Sequence, residues 1–465
     1  MNHPSQTIAI VIDNPVRDLP SCCLLAKQLV DLGYEVDLVP MYGGGAFLFE
    51  RHYDLVLLNY ARKNNKQMLV RLARAGSLIA ILDTEGGVFG SYKEKDSNDY
   101  LQTVIEDERI RDLIKEYFVW GEGLYKMLQD RKVYKPEQLQ LTGTPRSDFY
   151  STPWDQLFRL PGNFESQFAS GFVLITSSFP MVNPAFQTVE AEKKMMIETF
   201  HYSEAFIENL FKRLKNAQQM YIESALFLAQ QFPQIPFVYR PHPFEDLKIY
   251  QKAFANQKNL FLIKEGVIGQ WLSKCLCLIH FESSTSFEAR FAGKPAFGYA
   301  GFQDIWDMPE IQSMTEYVET PEQMKAQIEK VIAGNYQILP KISEAIKTIE
   351  KQVYFRVDGK SYLRVADRIK TFQAVPRSWS HVVKGSLYFT HQLIRMLGKR
   401  LLKWNPETMK AKSFRLKEVS EIMQGLQRIS ASGSSEKAYD IQPRGILRYL
   451  GFTPVVSISR YSEHH

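Results

Sequence analysis

Short apolar runs alternate with amphipathic stretches over the first third of the chain. Thr7–Asp13 is the first apolar run, and segments with helical spacing follow at Cys22–Leu32 and Lys66–Ala75. Such alternation is typical of a parallel, doubly wound sheet. The further strands predicted here are Glu35–Val39, Tyr53–Leu58, Ser77–Leu82, Tyr117–Trp120 and Leu139–Leu141, and a further helix is predicted over Arg109–Tyr117.

The alternation is interrupted once and then resumes. Two prolines and a glycine break the periodicity within Thr152–Gly162, which predicts a linker. A second set of elements opens with the apolar run Gly171–Thr176 and a long amphipathic helix over Glu204–Phe232. Its other predicted elements are strands at Phe237–Tyr239, Leu260–Ile263, Leu276–Ile279 and Pro295–Tyr299, and helices at Pro321–Ala333 and Ile342–Val353.

The chain is long for a single ordinary domain, at 465 residues. We predict an α/β protein with two Rossmann-like domains that face each other across a cleft. The first domain is predicted over residues 1–155 and the second over 165–375, followed by a basic helical extension over 376–465.

The composition is ordinary for a soluble globular protein, with 45% hydrophobic and 23% charged residues. No apolar run reaches the roughly 18 residues of a membrane-spanning helix, and the immediate N-terminal strand predicts no signal peptide. The four cysteines, Cys22, Cys23, Cys275 and Cys277, form neither a metal-ligand nor a disulfide pattern. We expect them to be buried and reduced, which favours a cytoplasmic protein.

Positive charge is concentrated in one segment near the C-terminus. The segment 384–417 contains nine basic residues and only Glu407 to oppose them, whereas the net charge of the whole chain is +6. The remainder is close to neutral, so no nucleic-acid partner is predicted. Residues 385–404 are amphipathic with a Lys/Arg-rich face, which predicts either contact with an anionic membrane surface or a basic helix packed on the domain with solvated charges.

Two polar motifs follow strands of the second half. Arg240-Pro-His-Pro243 comes after one apolar run and Ser283–Ser286 after another. The carboxyl ends of parallel strands are where open α/β sheets bind ligands, and a guanidinium, an imidazole and hydroxyl groups suit a phosphate. Alternatively, His242 packs at a strand end and Arg240 pairs with a surface carboxylate.

The second motif also predicts the start of a helix near Thr285. Hydroxyls of Ser283, Ser284 and Thr285, with the free N–H groups of that helix, could bind phosphate oxygens without a metal. Glu288 lies one turn into the helix, where it could accept hydrogen bonds from a ribose. The alternative is a capping box, in which Thr285 caps the helix and Glu288 reaches back to it.

The first half carries two further candidate sites. Asp83-Thr-Glu-Gly-Gly87 follows a strand, and Glu85 could be a general acid or base there. In Gly143-Thr-Pro-Arg-Ser-Asp148, Asp148 could be a second carboxylate and Arg146 could bind an acidic sugar. The alternatives are an acidic turn for Glu85, and a segment start for Ser147 and Asp148.

Metal-binding and nucleotide-loop motifs are missing from the sequence. It has no Asp-x-Asp, no His-Glu-x-x-His, no Gly-x-x-x-x-Gly-Lys-Ser and no complete Gly-x-Gly-x-x-Gly motif. We therefore expect no metal and no cofactor, with charge stabilised by side chains and helix termini.

Taken in this order and spacing, the motifs resemble those of GT-B glycosyltransferases of bacterial surface-polysaccharide synthesis. The chain is similar over residues 5–370 to "surface carbohydrate biosynthesis" proteins, which include the retaining β-Kdo transferases that use CMP-Kdo. CDP-glycerol glycerophosphotransferases share the pattern more distantly. The basic extension does not match this family. The residues that carry the resemblance are Asp83–Gly87, Thr142–Asp148, Arg240–Pro243, Ser283–Glu288 and Gly293–Pro295.

The resemblance implies a role for each motif. Arg240, His242 and the Ser283–Thr285 turn would hold the nucleotide phosphate of the donor, with Glu288 near the ribose. In a retaining enzyme Asp148 would be the nucleophile that forms a glycosyl-enzyme intermediate. Glu85 would be the acid/base that activates the acceptor hydroxyl.

The resemblance extends to substrate and location. Arg146 could pair with the carboxylate of an acidic sugar such as Kdo, and the acceptor would be a glycan or lipid-linked glycan for capsule or lipopolysaccharide. The first domain would then hold the acceptor and the second the nucleotide sugar. The protein would be cytoplasmic, at the inner face of the plasma membrane.

Three alternatives remain open from the sequence. If the reaction inverts the anomeric centre, Glu85 or another carboxylate is the sole base and Asp148 is structural. A polyol-phosphate transferase or a sugar-nucleotide epimerase could use the same architecture. A non-catalytic scaffold of a polysaccharide assembly complex is the third alternative.

Overall fold

The computed structural model describes residues 6–41, 45–84, 103–162, 164–199, 201–305, 308–401, 413–430, 439–445, 448 and 455–460. These residues form two compact units. The first unit contains the described residues up to 84, those from 103 to 157 and those from 350 onward, and the second contains residues 158–349.

The first unit is built around an eight-stranded sheet in the order β13-β14-β2-β1-β3-β4-β5-β6. Six of these strands are parallel to one another, and their apolar side chains are buried on both faces of the sheet. Burial on both faces explains why the strands are nearly continuous apolar runs in the sequence. The parallel strands are β1 (Thr7–Ile12), β2 (Glu35–Pro40), β3 (Leu55–Leu58), β4 (Leu78–Leu82), β5 (Ile114–Val119) and β6 (Leu139–Leu141).

The helices of this N-terminal region connect successive parallel strands. They are α1 (Pro15–Asp31), α2 (Phe47–Glu50), α3 (Lys66–Arg74), α4 (Glu108–Arg111) and α5 (Glu122–Asp130). Helix α1 begins seven residues before the predicted start at Cys22, because Asn14 takes the extended N-cap conformation and Pro15 fits the first helical position. The helix predicted over Arg109–Tyr117 is wrong, since α4 ends at Arg111 and β5 starts at Ile114.

The C-terminal residues complete the first unit. They form α15 (Ser361–Ile369), α16 (Trp379–Leu401), α17 (Leu416–Ser430), β13 (Tyr439–Arg444) and β14 (Val455–Arg460). Strand β14 pairs antiparallel with β2 and extends the N-terminal sheet. The structure thus differs from the predicted division at residues 375 and 376, because α15 belongs to the first unit and the extension contains strands as well as helices.

The second unit contains a six-stranded parallel sheet in the order β12-β11-β10-β7-β8-β9. Its strands are β7 (Phe172–Thr176), β8 (Phe237–Arg240), β9 (Leu260–Leu262), β10 (Cys275–His280), β11 (Ala296–Tyr299) and β12 (Glu316–Val318). The chain runs outward from β7 through β8 to β9, and then returns to the other side of β7 to add β10. The strand order therefore reverses between β7 and β10, which is the ligand-binding position of doubly wound sheets.

Helices cover this sheet. They are α6 (Phe164–Gln167), α7 (Val189–Glu198), α8 (Glu204–Gln231), α9 (Lys248–Phe254), α10 (Ile268–Lys274), α11 (Thr285–Phe291), α12 (Pro309–Ser313), α13 (Pro321–Ile332) and α14 (Pro340–Ile349). The long helix α8 presents its apolar side to a core that includes Phe237 and Tyr239 of β8. Together the two sheets confirm the predicted α/β class with two Rossmann-like sheets, while the predicted cleft between domains stays a prediction.

Candidate functional site at the carboxyl edge of the six-stranded sheet

Strand β7 brings the two predicted phosphate motifs to the same edge of the sheet. Thr176, its last residue, is paired in register with Arg240 of β8 on one side and with His280 of β10 on the other. Adjacent strands lie about 4.8 Å apart, so the loops that follow β8 and β10 begin roughly 10 Å from each other. The motifs thus follow strands of one parallel sheet at the same edge, but these strands are not neighbours as expected, because β7 lies between them.

Arg240 is occupied by the main chain of the loop after β9. Its guanidinium donates to the carbonyl oxygens of Glu265 and Gly266, the latter at 2.8 Å, and lies 5.1 Å from the centre of the Trp271 ring. Burial lowers the pKa of Arg240 to about 10. These contacts make Arg240 a residue that shapes the loop, while its predicted contact with phosphate stays a prediction.

His242 offers a hydrogen-bond donor and no positive charge. Its Nδ1 accepts the N–H of Phe244 at 3.3 Å, which places the proton of the neutral ring on Nε2. Burial, and to a smaller extent the nearby Lys264 ammonium, lowers the pKa of His242 to about 4. The imidazole is thus neutral at pH 7, and its Nε2–H can donate to an anionic oxygen.

Lys264 supplies the positive charge beside His242. It follows β9 by two residues, and its ammonium donates to the carbonyl oxygens of Glu245 at 2.8 Å and Pro243 at 3.2 Å. Lys264 is not among the site residues predicted from the sequence. Its signal in the sequence was a lysine immediately after an apolar run, at a carboxyl end equivalent to that of Arg240.

Glu245 fixes the Arg240-Pro-His-Pro loop and was also missed. Its side chain is completely buried. Its Oε1 accepts the hydroxyl of Ser177 and the N–H groups of Phe179 and His242, each at 3.0 Å, and its Oε2 accepts the hydroxyl of Tyr250. One carboxylate therefore ties the loop after β7 to the loop after β8. Burial raises the pKa of Glu245, although the four donors oppose that shift.

The loop after β10 contains a strained residue with a buried carboxylate. Glu282 has a φ of +35°, a region that residues other than glycine seldom adopt. Its Oε1 accepts the hydroxyl of Tyr317 at 2.6 Å, whereas its buried Oε2 has no hydrogen-bond partner among the residues that the structure describes. Burial raises the pKa of Glu282 to about 7.

His280, by contrast, is part of the core. Its Nε2 lies 3.0 Å from Thr315 Oγ1, and its Nδ1 accepts the N–H of Ser283 at 3.3 Å. Complete burial lowers the pKa of His280 to about 3, with Arg290 adding to the effect. His280 therefore holds the start of the Ser283–Ser286 turn in place as a neutral ring.

The turn itself begins a helix at Thr285, as predicted. Ser283 Oγ lies 3.0 Å from Thr285 Oγ1 and accepts the N–H of Thr285. Ser284 is the N-cap residue, and its side chain makes no capping bond, so Thr285 is not the cap that the capping-box alternative required. Glu288 is buried, which leaves little of its carboxylate for a ribose to reach.

In the first unit, Glu85 lies outside the described residues, whereas its neighbour Asp83 is buried at the end of β4. Asp83 accepts the hydroxyl of Tyr117 through its carboxylate and the indole N–H of Trp120 through its carbonyl oxygen, the latter at 2.6 Å. These bonds anchor the start of the segment in which Glu85 is predicted to act.

Asp148 caps a helix of the first unit. Its carboxylate accepts the N–H of Ser361 at 2.9 Å and that of Tyr362 at 2.8 Å, which are the first two residues of α15. The side chain is completely buried, and this desolvation raises the pKa of Asp148 to about 7. The geometry favours the structural alternative over the nucleophile. Arg146 lies two residues earlier and is partly buried.

Among the described residues, no three His, Cys, Asp or Glu side chains are grouped as a metal site would require. Within the same residues, no helix combines the length and the apolarity needed to cross a bilayer.

Comparison with known proteins gives only distant structural similarity. No family model matches the sequence, and no curated protein matches it. A UDP-N-acetylglucosamine 2-epimerase has 12% identity and a TM-score of 0.48, covering 81% of this chain and 100% of that chain. The UDP-GlcNAc 2-epimerase of Methanocaldococcus jannaschii, solved with UDP-GlcNAc and UDP, has 12% identity and a TM-score of 0.47, covering 79% and 100%.

The wall teichoic acid polymerase TagF is similar to the same degree. Its structure has 12% identity and a TM-score of 0.45, and the match covers 79% of this chain and 89% of that chain. Similarity at this level assigns no activity to the chain, so its function is argued from its own residues.

Proposed function

We propose that this protein is a metal-independent glycosyltransferase of bacterial surface-polysaccharide synthesis. In this proposal the carboxyl edge of the six-stranded sheet binds the phosphate of a nucleotide-sugar donor. The observation that carries it is the register of β7, whose last residue, Thr176, aligns with both Arg240 and His280. The loop after β10 thus lies at the point where the strand order reverses, and the loop after β8 lies on the other side of β7.

The residues at this edge suit the departure of a phosphate. As the bond between the anomeric carbon and the phosphate oxygen breaks, negative charge grows on that oxygen. The Nε2–H of His242 can donate to it, and the ammonium of Lys264 lies against the same loop. A fixed donor aimed at developing charge lowers the barrier, because it needs no reorganisation during the reaction.

For the donor, we propose a CMP-activated acidic sugar of the Kdo type. The support is the resemblance of the five motifs to β-Kdo transferases, with Arg146 as partner for the sugar carboxylate. Glu85 would be the base that activates the acceptor hydroxyl. Because Asp148 is buried as a helix cap, we expect a single displacement that inverts the anomeric centre.

A transfer assay tests this proposal. The purified protein would be incubated with CMP-Kdo, CDP-glycerol or UDP-GlcNAc and a capsular or lipopolysaccharide acceptor, and both nucleotide release and acceptor mass would be measured. We expect transfer from CMP-Kdo, and His242→Ala should lower kcat/KM about a hundredfold. His52→Ala, which changes a half-buried histidine before β3 of the other unit, should leave the rate unchanged.

Other outcomes would support the alternatives. Isomerisation of UDP-GlcNAc without transfer would identify an epimerase, and a reaction with CDP-glycerol alone would identify a polyol-phosphate transferase. Thermal stabilisation by UDP sugars in preference to CMP species would exclude the Kdo-type donor. If no donor binds and His242→Ala and Glu85→Ala variants keep their function in cells, the protein is a scaffold.

A further inference from the structure

Helix α16 exposes a line of large apolar side chains. Trp379, Val383, Leu387, Ile394 and Leu401 are 83%, 51%, 63%, 65% and 84% exposed. Their spacings of four, four, seven and seven residues put them on one side of a helix. Single exposed apolar residues are ordinary, but a continuous line of them marks a binding surface. We call this line, with the charged residues beside it, the exposed face of α16.

The opposite side of α16 is fixed to the first unit. The ring of Tyr388 packs 5.5 Å from that of Phe49, and the Arg71 guanidinium lies 5.7 Å from the same ring. Gln392, one turn further on, is buried. The helix is therefore held on α2 and α3, and its exposed face is presented by a folded domain.

The charges on this helix have one sign. Residues 379–401 include no Asp or Glu, but they include two lysines and two arginines. Lys384 and Arg395 are exposed, and at about 100° per residue they fall along one margin of the apolar line. In the sequence, Lys403, Lys410 and Lys412 follow. The complementary partner is apolar where it meets the line and anionic at its edge.

We propose that the exposed face of α16 binds the surface of a membrane that contains anionic lipids, with the helix lying parallel to the bilayer plane. A helix of 23 residues is about 34 Å long, and a bilayer surface offers contact along this whole length. Tryptophan is favoured at the boundary between headgroups and acyl chains, and the highly exposed Trp379 belongs to this face. This inference goes beyond the proposed function and does not depend on the donor.

Vesicle co-sedimentation tests the proposal with the full chain. We expect the wild-type protein to sediment with vesicles of phosphatidylcholine and phosphatidylglycerol, and much less with phosphatidylcholine alone. The triple variant Val383→Ser, Leu387→Ser, Ile394→Ser should bind at least tenfold more weakly, because it removes buried apolar area. Each of Lys384→Gln and Arg395→Gln should weaken binding about fivefold, and added salt should weaken it further.

A matched control distinguishes binding through this face from nonspecific adsorption of apolar side chains to the vesicles. Ile249→Ser, Ile332→Ser, Ile338→Ser changes three exposed apolar residues of the second unit, and it should sediment like the wild type. Thermal unfolding would confirm that every variant is folded. Equal sedimentation of the wild type and the α16 triple variant overturns the proposal. The proposal is also overturned if the wild-type protein is a dimer that does not sediment with vesicles and the triple variant is a monomer. The face would then bind a second copy of the chain.

Discussion

At the scale of single residues, Glu245 holds the loops of the candidate site together, although the sequence motifs did not predict this role. Replacing it with alanine would leave a buried hydroxyl and two N–H groups without their acceptor, together with the hydroxyl of Tyr250. We expect Glu245→Ala to lower the free energy of unfolding by about 3 kcal/mol, as measured by urea denaturation.

Glu245→Gln provides the conservative comparison. A glutamine keeps the oxygen that accepts three of the four bonds, so its loss should be about 1 kcal/mol. Glu344→Ala, at an exposed position of α14, should change stability by less than about 0.5 kcal/mol. A loss for Glu245→Ala as small as that for Glu344→Ala would show that the carboxylate does not organise the loop.

Glu282 makes a testable contribution to the pH dependence of stability. Its folded-state pKa of about 7 lies above the ordinary value of 4.5, so the folded protein keeps the proton over a range in which the unfolded chain has lost it. The contribution of Glu282 to the free energy of unfolding is therefore complete below about pH 4.5, and it is lost as the pH rises to about 7.

The variant Glu282→Gln isolates this contribution. Relative to the wild type, it should gain about 1–3 kcal/mol of unfolding free energy between pH 4.5 and pH 7.5, because a neutral amide has no proton to lose. Urea unfolding of both proteins at several pH values measures the difference. A difference that does not change with pH would mean that Glu282 titrates normally.

The sequence predicted the positions of these loops in the fold better than it predicted their contacts. Arg240 and His242 are at the predicted strand end, since an apolar run followed by proline marks that end clearly. Their partners could not be predicted, because Glu265 and Gly266 become neighbours of Arg240 only when β9 pairs with β8. The proton position on His242 likewise depends on the folded turn.

At the scale of elements, Asp148 caps α15, and replacing it tests whether this carboxylate is structural or a nucleophile. Asp148→Ala should lower the free energy of unfolding by about 2 kcal/mol and speed amide exchange at the start of α15, because two N–H groups lose their acceptor. Hydrogen exchange with mass spectrometry measures both the local and the global effect.

Asp367→Ala is the control on the same helix. Asp367 is exposed and pairs with Lys370 at the surface, so this change should cost less than about 0.5 kcal/mol. A sugar adduct trapped on Asp148 of the wild-type protein would contradict the structural role and restore the double-displacement mechanism.

Element prediction succeeded where burial alone decides the sequence pattern. Most of the parallel strands in the two sheets are apolar on both faces, and most were predicted within one or two residues. Strands β12, β13 and β14 were missed. Strands β12 and β13 are at sheet edges and β13 contains Pro443, whereas β14 lies between β13 and β2. The helix predicted over Arg109–Tyr117 was wrong, since Ile114 and Tyr117 belong to buried β5.

At the scale of the molecule, the two-sheet architecture was predictable from the alternation of elements. The unit to which the C-terminal residues belong was not predictable. Chain order suggested a separate extension after residue 375. The structure instead returns the chain to the first sheet, where Ile458 of β14 pairs with Val36 of β2 and is completely buried. Pairing over so long a sequence separation leaves no local signal.

The central claim is that the carboxyl edge of the six-stranded sheet binds the donor nucleotide. Hydrogen exchange of the whole protein, with and without saturating CMP-Kdo, tests it most directly. The proposal predicts slower exchange in the loops after β7, β8 and β10, at residues 177–179, 242–245 and 281–287, and no such protection in His242→Ala at the same ligand concentration. Protection confined to other segments, or equal protection in the variant, would contradict the claim.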